Sequence, residues 1–182
     1  MKTLKVIMAG GGTGGHLFPA ITIADEIKNQ ILSRKSPFSN IEIIFLGTRR
    51  GVEYRAVPNA GYKLKIIWIS GFKRYPSAVK MVLLNLAVPL KIAVSFFQTL
   101  FIILSFRPHI IFGTGGFASA IPVFTGALLN IPTVIQEQNS YPGLANRLLS
   151  GLVDQVHLAY ESSAVYFKKK ILQSVETPLE RV

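Results

Sequence analysis

Two glycine-rich turns, each set between an apolar run and a helix-like run, constrain this chain more than any other feature. The first, Gly10-Gly11-Gly12-Thr13-Gly14-Gly15-His16, follows Leu4-Lys5-Val6-Ile7-Met8-Ala9, and the second, Gly113-Thr114-Gly115-Gly116, follows His109-Ile110-Ile111-Phe112. An apolar strand that runs through glycine into a helix is the βα turn of a parallel sheet. The first turn of such a helix leaves backbone N–H groups unpaired at the positive end of the helix dipole, which seats a phosphate well. Glycine suits the position because a Cβ would block both the tight turn and the close approach of an anion. Two such turns fit a ligand with more than one phosphate, or two phosphorylated ligands. The plainer alternative is a pair of tight βα turns with no ligand.

The remaining pattern agrees with a parallel sheet. Leu17, Ala20, Ile21, Ala24, Ile27 and Ile31 fall at helical spacing after the first turn, and Pro19 lies in the first helical turn, where a missing N–H does no harm. Further strands are expected at 41–46, 64–69, 109–112, 133–136 and 154–158. Helices are expected as a pair split near Pro89, then over 118–129, from Pro142, and over 161–170. With neither repeats nor a linker, this alternation predicts an α/β fold: a Rossmann-like, doubly wound parallel sheet of about six strands, with both glycine turns on one edge. The apolar share of 49% suits a sheet buried on both faces. There is no cysteine, so disulfides and thiolate metal sites are excluded. The N-terminal apolar run is too short for a secretory signal, and the expected compartment is the cytoplasm.

Charge is distributed unevenly. No acidic residue lies between Glu53 and Glu137, whereas Arg55, Lys63, Lys65, Lys73, Arg74, Lys80, Lys91 and Arg107 all do. A basic surface without acids attracts polyanions. Its lysines and arginines alternate with Ile, Leu, Val and Phe, and no nucleic-acid-binding signature is present, so anionic lipid or a phosphorylated substrate is favoured over nucleic acid. Met81 to Leu104 admits three readings: a membrane span of about 20 apolar residues, two ordinary core helices, or a surface that dips among anionic headgroups. Interruption by Asn85, Pro89, Lys91, Ser95, Gln98 and Thr99 favours the third, with Lys73, Arg74, Lys80 and Lys91 as membrane contacts.

Two nucleotide motifs can be weighed directly. Gly10, Gly12 and Gly15 match G-x-G-x-x-G, but a dinucleotide fold wants an acid at the end of its second strand. That position reads Leu46-Gly47-Thr48-Arg49-Arg50, without a carboxylate, although the paired arginines suit an NADP-type phosphate. An NAD(P)-binding oxidoreductase is therefore the second reading. A P-loop is excluded, since no Gly-Lys-Ser/Thr follows the glycines. The only aspartates are Asp25 and Asp154, so no Asp-x-Asp pair exists to hold Mg²⁺ on a diphosphate, and no metal site is expected.

Gly11-Gly12-Thr13-Gly14-Gly15-His16-Leu17-Phe18-Pro19-Ala20 resembles the N-terminal signature of glycosyltransferase family 28. Gly113-Thr114-Gly115-Gly116-Phe117-Ala118-Ser119-Ala120-Ile121-Pro122 resembles its second glycine loop, and Ile135-Gln136-Glu137-Gln138-Asn139 its H-E-Q-N segment, followed by Pro142-Gly143-Leu144-Ala145-Asn146-Arg147. Gln136 replaces the usual His, and Phe117 stands where Tyr is common. The resemblance implies one half of a GT-B glycosyltransferase. Residues 1–160 would be the acceptor-binding domain, and 161–182 a terminal helix and the start of a linker to a C-terminal donor-binding domain. It further implies transfer of N-acetylglucosamine from UDP-GlcNAc to undecaprenyl-pyrophosphoryl-MurNAc-pentapeptide (lipid I), forming lipid II for peptidoglycan. The reaction would be inverting, metal-independent and without a cofactor, at the cytoplasmic face of the bacterial membrane. Another family 28 lipid glycosyltransferase is an alternative. This chain alone is expected to be inactive. Thr177-Pro178-Leu179-Glu180-Arg181 matches the family only loosely, and Arg181 is left unassigned.

Individual residues follow from the motifs. His16 is a candidate general base, because an imidazole at a helix N-terminus favours its neutral, proton-accepting form; its plainer reading is a helix-start side chain. Glu137, at the end of a strand, is a candidate base, an orienter of His16, or a structural hydrogen-bond acceptor. The resemblance implies Thr13, Gly14, Gly15 and Asn139 for UDP-GlcNAc. Gly12, Thr13, Gly14, Thr114, Gly115 and Gly116 are assigned to the acceptor diphosphate. His109 and His157 are read as structural.

Overall fold

The computed structural model describes residues 2–33, 37–72, 75–167 and 172–174. Seven parallel strands, β1 (Thr3–Ala9), β2 (Asn40–Gly47), β3 (Lys63–Ile66), β4 (Ile110–Gly113), β5 (Thr133–Glu137), β6 (Gln155–Leu158) and β7 (Leu172–Ser174), form one sheet in the order β3-β2-β1-β4-β5-β6-β7. Six α-helices connect them: α1 (Gly14–Ser33), α2 (Glu53–Asn59), α3 (Ala78–Asn85), α4 (Val88–Phe106), α5 (Phe117–Leu128) and α6 (Leu144–Leu149), with a 3-10 helix at Glu161–Tyr166.

Strand alternation builds two cores. Val6, Met8, Ile43 and Phe45 face one side and pack with Leu17, Ala20 and Ala24 of α1 and Val57 of α2. Their neighbours Ile7, Ile44 and Leu46 face the other side, with Ile111, Ile135, Ile103 of α4 and Val123 of α5. A strand buried on both faces must be apolar throughout, which is why β1 and β2 read as continuous runs rather than alternating ones.

The sheet order reverses direction between β1 and β4, and this is the topological switch point where such sheets bind ligands. The register there sets Ala9 beside Gly113. Both glycine turns therefore leave the same edge of the sheet from adjacent strands.

Several elements differ from the sequence reading. Helix α2 was not anticipated; it is short, holds Pro58, and buries only Glu53 and Val57. The break between α3 and α4 falls at Leu86-Ala87, and Pro89 sits in the first turn of α4. The last helix is a 3-10 turn at Glu161–Tyr166, and 168–170 lie outside the described residues. Strand β7 pairs with β6, so the sheet continues beyond the expected boundary at 160.

The Tyr62 hydroxyl, at the foot of β3, donates to Asp25 Oδ1 of α1 at 2.6 Å. Burial, and then this bond to a carboxylate, push the phenol well above its ordinary range. A raised folded value stabilises the fold fully below the unfolded tyrosine pKa of about 10 and loses that contribution as pH rises above it. Urea midpoints are therefore expected to fall on the alkaline side, and Tyr62→Phe should flatten that part of the profile.

Candidate active site

Thr114 ties the two glycine turns together. Its N–H donates to Ala9 O at 3.0 Å, and its hydroxyl donates to His16 O at 2.6 Å. Gly116, at φ +77°, lies so close to the carbonyl oxygen of Gly11 that a Cβ would collide with it. Gly115, at φ +98°, leaves space for His16, whose Nδ1 would stand 2.8 Å from an added Cβ. Both positions need glycine for conformation and for proximity at once.

His16 starts α1 and turns its ring toward the second loop. Its Nδ1 lies 3.1 Å from Thr114 O and 2.8 Å from Gln138 Nε2. A carbonyl oxygen only accepts, so the Thr114 contact is a hydrogen bond when Nδ1 carries the proton. Exchanging the two ends of the Gln138 amide makes its oxygen a second acceptor for that same proton. In the Nδ1–H tautomer, Nε2 holds a free lone pair, and the ring is only partly buried. The geometry suits proton abstraction.

Glu137, the last residue of β5, is fully buried. Its Oε1 accepts from Asn139 N at 3.0 Å and Asn139 Nδ2 at 2.8 Å, and its Oε2 from Gly143 N and Asn146 Nδ2, each at 3.0 Å. Four donors saturate the carboxylate. It does not orient His16, which takes its partners from Thr114 and Gln138, and as a base it would have to break this network. Its evident work is to hold the loop from Gln138 to Gly143 and the start of α6. Asn139 is exposed, with its amide nitrogen committed to Glu137 and its oxygen available.

The assigned anion donors divide into two groups. Gly12 N–H donates to Glu53 Oε2 at 3.0 Å, and Thr114 N–H is held by Ala9, so neither can offer its backbone to a phosphate. Gly14 and Gly15, in the first turn of α1, have no intrahelical acceptor. With Thr13, Gly115 and Gly116 they form the remaining cradle around the switch point.

Glu53 is the residue that sequence reasoning missed. Fully buried, it accepts at Oε1 from Thr48 N at 3.0 Å and Thr48 Oγ1 at 2.7 Å, besides Gly12 at Oε2. Gly11 and Gly47 crowd it so closely that an added Cβ would stand 2.7 and 2.6 Å from its carboxyl and Cγ carbons, and one at Gly51 would collide with it. This buried carboxylate fixes the first glycine turn to the end of β2. Asn146, buried beneath Gly115, was quoted in a motif without a role; its Nδ2 also donates to Gln136 O at 3.2 Å. The side-chain oxygens of Gln136, Gln138 and Asn146 are buried without a donor.

The basic residues assigned to a membrane are scattered. Lys73 and Arg74 lie outside the described residues, as does Arg181. Lys80 is exposed on α3. Lys91 of α4 is held inward: Nζ donates to Ser70 Oγ at 2.9 Å and lies 5.9 Å from the centre of the Trp68 ring. Helix α4 inverts the usual arrangement. Ser95 and Thr99 are fully buried, while Phe97 is 65% and Phe101 75% exposed. Val79–Phe106 is long and apolar enough to cross a membrane by length and composition. The turn at Leu86-Ala87 divides it, however, and Ile103 of α4 belongs to a core of the sheet. Among the described residues no group of three His, Cys, Asp or Glu side chains gathers as metal ligands.

The family model described as the glycosyltransferase family 28 N-terminal domain matches residues 6–158. A UDP-N-acetylglucosamine--N-acetylmuramyl-(pentapeptide) pyrophosphoryl-undecaprenol N-acetylglucosamine transferase from Flavobacterium psychrophilum is 41% identical over 169 residues, covering 93% of this chain and 43% of the relative. The protein of the same name from Christiangramia forsetii is 45% identical over 158 residues, covering 87% of this chain and 40% of the relative. The crystal structure of Acinetobacter baumannii MurG superposes with a TM-score of 0.72 at 23% identity, covering 94% of this chain and 44% of that one. The chain thus spans less than half the length of the relatives it matches.

Proposed function

This chain belongs to glycosyltransferase family 28, through its N-terminal domain, and on that premise we propose that it is the acceptor-binding half of a GT-B enzyme. The enzyme moves N-acetylglucosamine from UDP-GlcNAc onto undecaprenyl-pyrophosphoryl-MurNAc-pentapeptide. The observation that carries this reading is the meeting of both glycine turns with His16 at the switch point of a Rossmann-like sheet. Residues 1–160, with β7, supply the acceptor half, and the further length of the relatives supplies the donor-binding half.

In the proposed reaction the acceptor hydroxyl oxygen attacks the anomeric carbon of the donor sugar. His16 Nε2 takes the hydroxyl proton as the new C–O bond forms, and the bond to UDP breaks with its electron pair on the diphosphate. The dipole of α1 and the N–H groups of Thr13, Gly14 and Gly15 lie where a diphosphate charge is stabilised, and Gly115 and Gly116 add to the cradle from the second turn. Asn139 Oδ1 is placed to accept from a sugar hydroxyl. The test is a protein joining this chain to the remaining half of the Flavobacterium psychrophilum relative. Lipid II formation from UDP-GlcNAc and lipid I is expected of the joined protein and not of the 182-residue chain alone. Failure of a folded fusion to transfer the sugar would overturn the reading.

The enzyme works at the cytoplasmic face of the membrane, where a lipid acceptor keeps its polyprenyl tail. The inverted face of α4, with Phe97, Phe101 and Leu104 exposed, and the exposed Lys80 on α3 support a peripheral, interfacial attachment. Each buried Phe contributes roughly 1.5–3 kcal/mol, and each headgroup-level lysine about 1 kcal/mol at low salt. Cosedimentation with anionic vesicles is expected, with release by high salt. Phe97→Ser, Phe101→Ser and Lys80→Glu together should abolish it without changing the thermal melt. Equal binding to neutral vesicles, or extraction only by detergent, would favour a span.

A further inference from the structure

A second cationic feature lies at the same edge of the sheet, one strand further out. The segment after β2 opens a cleft of about 690 Å³ lined by Arg49, Arg50, Arg55, Val52, Tyr54 and Asn59. All three arginines are exposed. Among the described residues the one ion pair is Lys63 with Glu42, so none of the three guanidinium groups has a carboxylate partner. Glu53, the carboxylate nearest in sequence, is turned inward and holds Gly12 and Thr48 instead. Three like charges around one cleft repel each other, and an anion relieves that repulsion. The guanidinium fork matches a carboxylate or a phosphate with two parallel hydrogen bonds.

We propose that this cleft is a carboxylate subsite that receives the free C-terminus of the acceptor's pentapeptide, an inference that rests on the lipid-acceptor reading above. Placement supports it. The register of β1 and β2 sets Leu46 beside Ala9, so Gly47–Arg50 runs alongside the first glycine turn, at a strand spacing of about 4.8 Å. An extended pentapeptide spans at most about 17 Å, several times the spacing between these adjacent strands. A phosphate of a lipid headgroup shares the chemistry but not the position. Helix α2 packs on the face of the sheet with Val57 and α1, whereas the exposed apolar helix α4 packs on the opposite face.

The experiment is calorimetric titration of the chain with soluble muramyl-pentapeptide as the free acid and as its C-terminal amide. The acid is expected to bind about tenfold more tightly, a difference equivalent to about 1.4 kcal/mol. Arg50→Gln with Arg55→Gln should bring the acid down to the affinity of the amide and leave the thermal melt unchanged. Equal affinities for acid and amide, absence of binding, or indifference to the double substitution would overturn the subsite. Loss of binding to phosphatidylglycerol vesicles with unchanged peptide affinity would overturn it in favour of a headgroup site. In the joined enzyme, transfer with the same KM for acid and amide acceptors would refute the subsite alone, whereas absence of any transfer would refute the glycosyltransferase reading beneath it.

Discussion

His16→Ala, in a protein that joins this chain to a donor-binding half, is expected to lower kcat by about 10²–10⁴-fold, the usual worth of a positioned general base. KM for UDP-GlcNAc should change little, because the imidazole acts on the acceptor hydroxyl. The two turns should survive the substitution, since the Thr114 hydroxyl donates to the backbone oxygen of His16, and loss of the ring removes only the contact with the Thr114 carbonyl between them. Gln138→Leu tests the tautomer. The Thr114 carbonyl remains as one acceptor for the Nδ1 proton, so a loss of about tenfold is expected, equivalent to about 1.4 kcal/mol of transition-state stabilisation. Glu137→Gln discriminates between the two candidate bases. An amide nitrogen would face donors that the carboxylate now accepts, so its melting temperature should fall together with its activity. A His16→Ala enzyme with unchanged kcat, beside a Glu137→Gln enzyme that is inactive yet melts like the parent, would transfer the role of base to Glu137.

The parts of the site legible in the sequence are those that depend on local chain geometry. Strand, glycine turn and helix occur contiguously at both Ala9–Gly15 and Gly113–Phe117, and their meeting at one edge follows from the alternation of strands and helices. What the sequence conceals is which polar group each buried carboxylate finds. Glu137 lies next to Gln138 in sequence, yet its donors come from residues 139, 143 and 146 after the chain folds back. His16 and Gln138 meet only because β1, β4 and β5 are neighbours. Helix α2 escaped notice because a helix of seven residues containing Pro58 shows almost no apolar period. The one signal that pointed to it was Glu53 itself, the last acid before a long basic stretch. The arginines after β2, read as a possible phosphate contact for a dinucleotide, line a cleft whose neighbouring carboxylate is turned away from it.

Glu53→Ala is expected to destabilise the fold more than His16→Ala or Gln138→Leu. A wholly buried carboxylate is uncommon unless it is paired, and this one is paired with three donors rather than with a cation: Gly12 N–H, Thr48 N–H and the Thr48 hydroxyl. Removing it strands those groups, each unsatisfied donor costing about 1–3 kcal/mol. Partial entry of water leaves a net loss of roughly 3–5 kcal/mol. For a chain of this length that corresponds to a fall of roughly 6–20 °C in melting temperature. Glu53→Gln keeps the shape but sets an NH₂ group against a donor, so it should recover only part of the loss. Gly51→Ala should approach the same penalty from the other side, because its Cβ would occupy the space of the carboxylate. The effect should extend to function, since Gly12, at φ +86°, shapes the first glycine turn and its N–H is held by Glu53. A Glu53→Ala chain that melts with the parent would mean that water replaces the carboxylate without loss, and the first turn would then hold its shape through Thr114 and Gly116 alone.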